Sequence, residues 1–453
     1  MTTLATHFIS RFIFPLHEYI KGHGTVRILR QLETSQWWSA DRLAEFQAAR
    51  LRRLIKFASQ QVPYYRKLFA EAGIGPNDIR SPEDLPKLPF LTKDLIRANM
   101  DVLKADNASS LVRFNTGGST GEPLIFYLGK ERVGHDVAAK WRATRWWGVD
   151  IGDPEVVVWG SPVELGAQNR LREWRDHLLR TRLLSAFDMS ERNLDYFIAE
   201  IRRLRPKMLF GYPSAIAHIA RHVQKRGGSM NDLGVQVAFV TAERLYEDQY
   251  SDIESTFGCR VANGYGGRDA GFVAHQCPEG SLHITAEDIV VELVDQAGKL
   301  VAAGEPGEVV ITHLATKEFP FIRYRTGDVA VFDDQLCGCG RSLPVLKEIQ
   351  GRTTDFIVAA DGTVMHGLAL IYVLRDLPGI ESFKIIQESK TEMRVLLVPV
   401  NGGYSRAVED GIRRDFQDRL GKGVRVNVEP VAEIPPERSG KFRYVVSHVT
   451  LHS

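Results

Sequence analysis

The sequence predicts an α/β protein: a large N-terminal domain of several subdomains, with helices around parallel strands plus a β subdomain, and a small α+β C-terminal domain. Three observations predict it. From Glu155 to Val240, short β-branched runs alternate with helical periodicity, the pattern of parallel strands with crossover helices. From Leu282 to about Ile349 the pattern changes to strands joined by turns, an all-β subdomain over 282–349. Past Gly351-Arg352 the chain becomes a small mixed region, which sets a boundary near 351–355 between an N-terminal domain, 1–351, and a C-terminal domain, 352–453.

Residues 1–105 read mostly as helix. Ser39 to Ala58 carries apolar residues at three- and four-residue steps, with Ser39 as a hydroxyl cap. Val62-Pro63 ends that helix, because proline disfavours the helical conformation in the residue before it. Tyr64, Ser81-Pro82 and Thr92 each mark a further helix start. Leu124 to Leu128 reads as a strand and Glu131 to Trp147 as a helix. Glu155 to Gly160, Met208 to Phe210 and Val235 to Val240 are the strands of the alternating block. Arg170 to Arg180 reads as a basic, Trp-containing helical face in solvent. Ile289 to Val294 and Gly307 to Thr312 are the clearest strands of the β subdomain, and turns at 295–298 and 304–306 lie between them. The C-terminal region reads as helices near 368–374 and 405–420 among strands at 382–387, 393–399 and 424–428.

The chain has 453 residues, too many for one core, and an ordinary composition of 44% hydrophobic and 25% charged residues. A net charge of +2 with interspersed signs gives no electrostatic case for nucleic acid. No apolar stretch reaches the roughly 18 residues of a membrane span. The apolar start, Phe8-Ile9 and Phe12 to Leu16, is broken by Arg11 and Pro15 and is not read as a signal peptide. Four cysteines in a chain of this length fit a reducing compartment, so a cytoplasmic protein is expected.

Five stretches carry chemistry. Phe114 to Pro123 is a Gly/Ser/Thr loop whose N–H and hydroxyl groups can donate to phosphate oxygens. It lacks the closing lysine of a Walker loop, and taken alone it also fits an ordinary surface loop. Asn263 to Gly271 sets Tyr265 and Asp269 among glycines. The ring can stack on a base and the carboxylate can hold Mg²⁺ at a triphosphate; the alternative is a Gly-rich turn. In Tyr324-Arg325-Thr326-Gly327-Asp328 a carboxylate can accept from two ribose hydroxyls. Gly351-Arg352 fits a hinge or a linker turn, and Lys441, beside Gly440, fits a phosphate-directed charge or a surface lysine.

In this order and at these separations the stretches resemble the adenylate-forming superfamily of acyl-CoA synthetases, adenylation domains and luciferase, and most of all its phenylacetate–CoA ligase and CapK-like branch. The resemblance runs from about Leu43 to Tyr444. It implies ATP binding by the phosphate loop Thr116, Gly117, Gly118, Ser119, Thr120 and Gly121. It also implies adenine contact by Tyr265 and Gly266, ribose contact by Asp328, and Arg352 following the hinge glycine. Asp269 stands where most members carry a Mg²⁺-binding Glu, one methylene longer, and Lys441 matches the catalytic lysine that contacts the acyl carboxylate and α-phosphate. Thr354 replaces the usual Asp or Lys at the hinge. The implied activity is attack of a carboxylate on ATP to give an acyl-adenylate, then transfer to CoA, with an aryl or arylacetic acid as substrate. Transfer to an amine or a carrier-protein thiol, and an inactive nucleotide-binding relative, are the alternatives; a homodimer is left open.

Cys277, His283, Cys337 and Cys339 form a C-x₅-H and C-x-C set suited to structural Zn²⁺, and similar sets in the branch support that reading. His275 is a substitute ligand and Cys259 a core cysteine. The acyl pocket is expected from Trp141, Tyr212, Pro213, Ala242 and Gly267.

Overall fold

The computed structural model describes residues 3–116, 124–159, 169–186, 189–352, 356–362, 364–375, 377–400, 404–435 and 442–449. The chain divides into two compact units, one of residues 1–326 with 330–349, the other of 327–329 with 350–453.

The first unit opens with helices. Ser39 caps Ala40–Gln61 by accepting a hydrogen bond from the Arg42 amide. The helix buries Leu43, Leu51, Leu54, Ile55 and Ala58, the face its apolar spacing sets. Val62 is extended (φ −112°, ψ 111°), and Pro63 stands at the first position of Pro63–Ala72, where its missing N–H costs nothing. Ser81 and Asp84 form a capping box on the short 3₁₀ helix Pro82–Lys87, and Thr92 caps Lys93–Ala98.

Eleven strands follow one another in a single sheet. In spatial order they are Ile289–Val294, Pro306–His313, Tyr324–Asp333, Val345–Arg352, Leu282–Ile284, Gly271–Gln276, Arg260–Gly267, Val237–Thr241, Met208–Gly211, Glu155–Trp159 and Thr181–Ser185. The last five run parallel to one another. Val237–Thr241 is buried at every position, as expected for a strand covered by helices on both faces.

Two features differ from the sequence expectation. The strands of the 282–349 region do not form a sheet of their own. Leu282–Ile284 pairs on one side with Gly271–Gln276 and on the other with Val345–Arg352, which joins them to the parallel block. The Gly-rich stretch is not only a turn: Arg260–Gly267 and Gly271–Gln276 are an antiparallel hairpin. Its glycines are dictated by close approach. A Cβ at Gly266 would meet the Gly271 carbonyl oxygen at 2.1 Å, and Gly271 itself has φ +87°.

The second unit holds a four-stranded sheet in the order Arg425–Pro430, Glu392–Pro399, Ile380–Ser389, Val445–Ser447. Leu368–Arg375 and Arg406–Leu420 are its helices, and Ile412, Phe416 and Leu420 are buried with Ile385, Met393 and Val395. The buried Gln387 amide bonds both the N–H and the C=O of Val358, tying the hairpin Phe356–Val358/Val364–His366 to the sheet. Among the described residues no helix is long and apolar enough to cross a membrane.

Candidate active site and metal cluster

Three adjacent parallel strands deliver their carboxyl ends to one edge of the sheet, the position where open α/β sheets bind ligands. Met208–Gly211 leads to Tyr212 and Pro213, and Val237–Thr241 leads to Ala242 and Glu243. Arg260–Gly267 carries Tyr265, Gly266 and Gly267 and runs on to Asp269. Tyr212 is buried and stacks on Trp159 at 4.4 Å. Pro213 opens the helix Pro213–Lys225, whose Ser214 N–H donates to the Glu243 carboxylate at 3.3 Å. Ala242 has φ +72°, a conformation costing a side chain on the order of 1–3 kcal/mol.

Asp269 is gripped twice. The Tyr324 hydroxyl donates to Asp269 Oδ2 at 2.6 Å, and the buried Arg132 guanidinium donates to the Asp269 backbone carbonyl at 3.3 Å. Arg132 Nε in turn donates to both oxygens of Asp136, at 3.1 and 3.0 Å. Burial raises the Asp136 carboxyl despite Arg132. Behind this pair, Asp288 takes Arg50 at 2.8 Å and His135 at 2.7 Å. Burial alone would raise Asp288, but His135 and Arg50 outweigh it and hold the carboxyl well below its ordinary range. Sequence reasoning missed Arg132 and Asp136, and treated Tyr324 only as the start of the ribose stretch. The signal for Tyr324 was its place directly before Arg325-Thr326-Gly327-Asp328; Arg132 and Asp136 gave none beyond an i,i+4 pair.

The other expected residues fall as follows. Thr116 closes the hairpin Val112–Asn115/Ile125–Leu128: its N–H donates to Leu124 O at 2.9 Å and its hydroxyl accepts from the Leu124 N–H at 3.0 Å. Gly117, Gly118, Ser119, Thr120, Gly121, Thr354 and Lys441 lie outside the described residues. Arg352 ends the strand Val345–Arg352. Asp328 is half-buried in Tyr324–Asp333 and follows Gly327, which has φ +81°. Tyr265 is buried among the core residues. Trp141 is not brought beside Tyr212. It packs edge-on against Phe14 at 6.5 Å, in a buried cluster with Ile28, Leu29 and Leu32, whereas Tyr212 belongs to another cluster.

Cys277, His283, Cys337 and Cys339 do converge. Their ligand atoms all lie within 4.8 Å of one another. Cys277 Sγ stands 3.6 Å from Cys337 Sγ, close to the roughly 3.8 Å edge of a tetrahedron with 2.3 Å Zn–S bonds. Cys339 Sγ is 3.2 Å from His283 Nε2. The His283 Nδ1–H donates to the Leu343 carbonyl at 3.2 Å, which turns the Nε2 lone pair toward the thiols. Burial lowers His283 to about 4, keeping the imidazole neutral as a ligand must be. His275 is not part of the cluster: it is fully buried and stacks on Phe272 at 5.3 Å. Cys259 is buried, as expected of a core cysteine.

The family model of the AMP-binding enzymes matches residues 81–315, and that of the CapK C-terminal domain matches residues 357–448. Protein CapK of Staphylococcus aureus is 25% identical over 411 residues, 90% of each chain. The phenylacetate-coenzyme A ligase of Thermus thermophilus is 27% identical over 438 residues, 90% of this chain and 96% of that one. Among solved structures, 2-hydroxyisobutyryl-CoA ligase in its postadenylation state shares the fold with a TM-score of 0.72 at 21% identity, covering 91% of this chain and 90% of the other. The chain belongs to the adenylate-forming AMP-binding enzymes, in their phenylacetate–CoA ligase and CapK-like branch.

Proposed function

We propose that this protein is an ATP-dependent ligase that joins a carboxylic acid to CoA through an acyl-adenylate, with an aryl or arylacetic acid as substrate. The observation that carries the reading is the fixed carboxylate of Asp269, held by Tyr324, at the sheet edge where Tyr212, Pro213, Ala242 and Gly267 also emerge. A carboxylate is a poor acyl donor because oxide is a poor leaving group. In the first step its oxygen attacks the α-phosphorus of ATP and the bond to pyrophosphate breaks. In the second the CoA sulfur attacks the acyl carbon, AMP leaves and the thiol proton is lost. The protein has to align anions and offset their charge.

The loop Thr116 to Gly121 would cradle phosphate, with Tyr265 and Gly266 at adenine, Asp328 at ribose, Arg352 beside it, and Lys441 at the acyl carboxylate and α-phosphate. Asp269 would hold Mg²⁺: Tyr324 engages Oδ2, so Oδ1 would be the oxygen offered to the cation, and Mg²⁺ sites on nucleotides commonly use one or two carboxylates. Tyr212, Pro213, Ala242 and Gly267 would border the acyl group, and Trp159, stacked on Tyr212, joins them as a candidate. The geometry and neutral histidine of the Cys/His cluster fit structural Zn²⁺. A cytoplasmic setting follows from the reading of the cysteines.

The test is pyrophosphate release from Mg²⁺-ATP across a panel of aryl and aliphatic acids, with and without CoA, beside Lys441→Ala. Acid-dependent release that CoA accelerates and Lys441→Ala abolishes is the expected result. Release indifferent to CoA and raised by amines or a carrier protein would replace the acceptor. ATP binding with no release for any acid would overturn the reading in favour of an inactive relative.

A further inference from the structure

Two stretches have no part in the ligase reading: the apolar start of the chain and the basic, Trp-containing helix near residue 174. The structure brings them together. Leu4–Phe8, one π turn Ile9–Ile13 and Phe14–Lys21 form a continuous helix that ends at Gly22, with φ +71°. Its inner face buries Thr6, Ile9, Phe14 and Glu18. Its outer face presents Leu4, Phe8, Phe12, Leu16, Tyr19 and Ile20, each between 57 and 92% exposed. The first four repeat every four residues, a spacing that drifts around an ordinary helix of 3.6 residues per turn. The wider π turn offsets the drift and keeps the stripe on one side. Beside it lies Asn169–Leu178, with Trp174 72% exposed. Arg175 of that helix is within electrostatic reach of both His17 and Lys21.

The exposed charges of the segment that bears this stripe have one sign. Among residues 3–32 the only carboxylate is Glu18, which is buried and bonded to Thr25 and His23, whereas Arg11, Lys21, Arg27 and Arg30 are all exposed. Asp176 is occupied by Arg175. An exposed apolar stripe with aromatic members, rimmed by cations, matches a helix lying in the plane of an anionic bilayer. A second copy of the chain fits less well, because a two-fold contact on this face would set Arg11 and Lys21 against cations with no exposed carboxylate between residues 3 and 32 to meet them.

We propose that the helix Leu4–Lys21, with Trp174 beside it, docks the enzyme on an anionic lipid surface, lying on the membrane rather than crossing it. The full chain is sedimented with vesicles of phosphatidylglycerol and phosphatidylcholine, and with phosphatidylcholine alone. Binding to the anionic vesicles, weakened by salt, is expected. Phe8→Ser/Phe12→Ser and, separately, Arg11→Gln/Lys21→Gln should each lower the partition coefficient by roughly tenfold or more. Circular dichroism, and pyrophosphate release where it is observed, should be unchanged, since these side chains face solvent. Absence of binding to anionic vesicles, or binding that both double variants keep, overturns the proposal. So does a dimer in sedimentation velocity that Phe8→Ser/Phe12→Ser dissolves without any vesicle binding, which would assign the face to a second copy.

Discussion

The hydrogen bond from Tyr324 to Asp269 decides how a short carboxylate is presented at the edge of the sheet. A hydroxyl donating to a charged oxygen is worth about 1.5–3 kcal/mol. Tyr324→Phe should therefore lower kcat/KM for pyrophosphate release by roughly ten- to a hundredfold and raise the Mg²⁺ concentration needed for half-maximal rate. Titrating Mg²⁺ against both proteins checks it; an unchanged Mg²⁺ dependence would separate Asp269 from the metal. Glu287 illustrates a purely structural charge. It accepts from Ser35 at 2.6 Å and Arg142 at 2.7 Å, and Arg142 and Glu287 are both fully buried. Removing one partner strands the other, so Glu287→Ala should destabilise by about 3–5 kcal/mol in urea unfolding. Neither contact was legible in the sequence, because Tyr324 and Asp269 lie 55 residues apart and Arg142 and Glu287 lie 145 apart.

At the scale of elements, the hairpin Arg260–Gly267/Gly271–Gln276 turns the sheet from parallel to antiparallel and ends at Cys277. The Cys/His cluster brings that end together with Leu282–Ile284 and the Cys337–Cys339 knuckle. A structural ion here should be stoichiometric: elemental analysis is expected to find one zinc per chain, and none after Cys337→Ser. Chelation should lower the melting temperature by several degrees, with binding free energy appearing as stability. A full-length protein free of metal and unmoved by chelators would refute the zinc reading. The helices of the first unit were legible because capping hydroxyls, prolines and apolar periodicity are local signals. The hairpin strands were not, since their glycines look like a loop until a neighbouring backbone is seen to need the space.

Across the whole molecule, the buried ionic network makes stability depend on acidity. Burial and then Arg132 hold His313 well below its ordinary 6.5, and its Nδ1 accepts from the Ala315 N–H. Below pH 6.5 the unfolded chain binds a proton that folded His313 refuses, so stability falls as pH drops, by up to about 1.4 kcal/mol per unit. Asp288, with its carboxyl depressed, adds a further loss below about pH 4. Unfolding at pH 6.5 and at about 5 should differ less in His313→Asn than in the parent chain, once the variant's loss at neutral pH is subtracted. An equal slope in both would exclude His313 as the group responsible.

By itself the sequence determined the alternation of strand and helix, the Cys/His set, and an order of motifs that identified an adenylate-forming enzyme of the phenylacetate–CoA ligase and CapK-like branch. The alternation is a property of local propensity, and each motif is a short signature legible wherever it stands in the chain. Only the tertiary structure decided that the β strands continue the parallel sheet, that His275 stays out of the Cys/His cluster and Trp141 away from Tyr212. It also decided that Arg132 and Tyr324 hold Asp269. Each of those depends on strand register and on burial between distant segments, and such pairings are set by the packing of the whole core rather than by any window of residues.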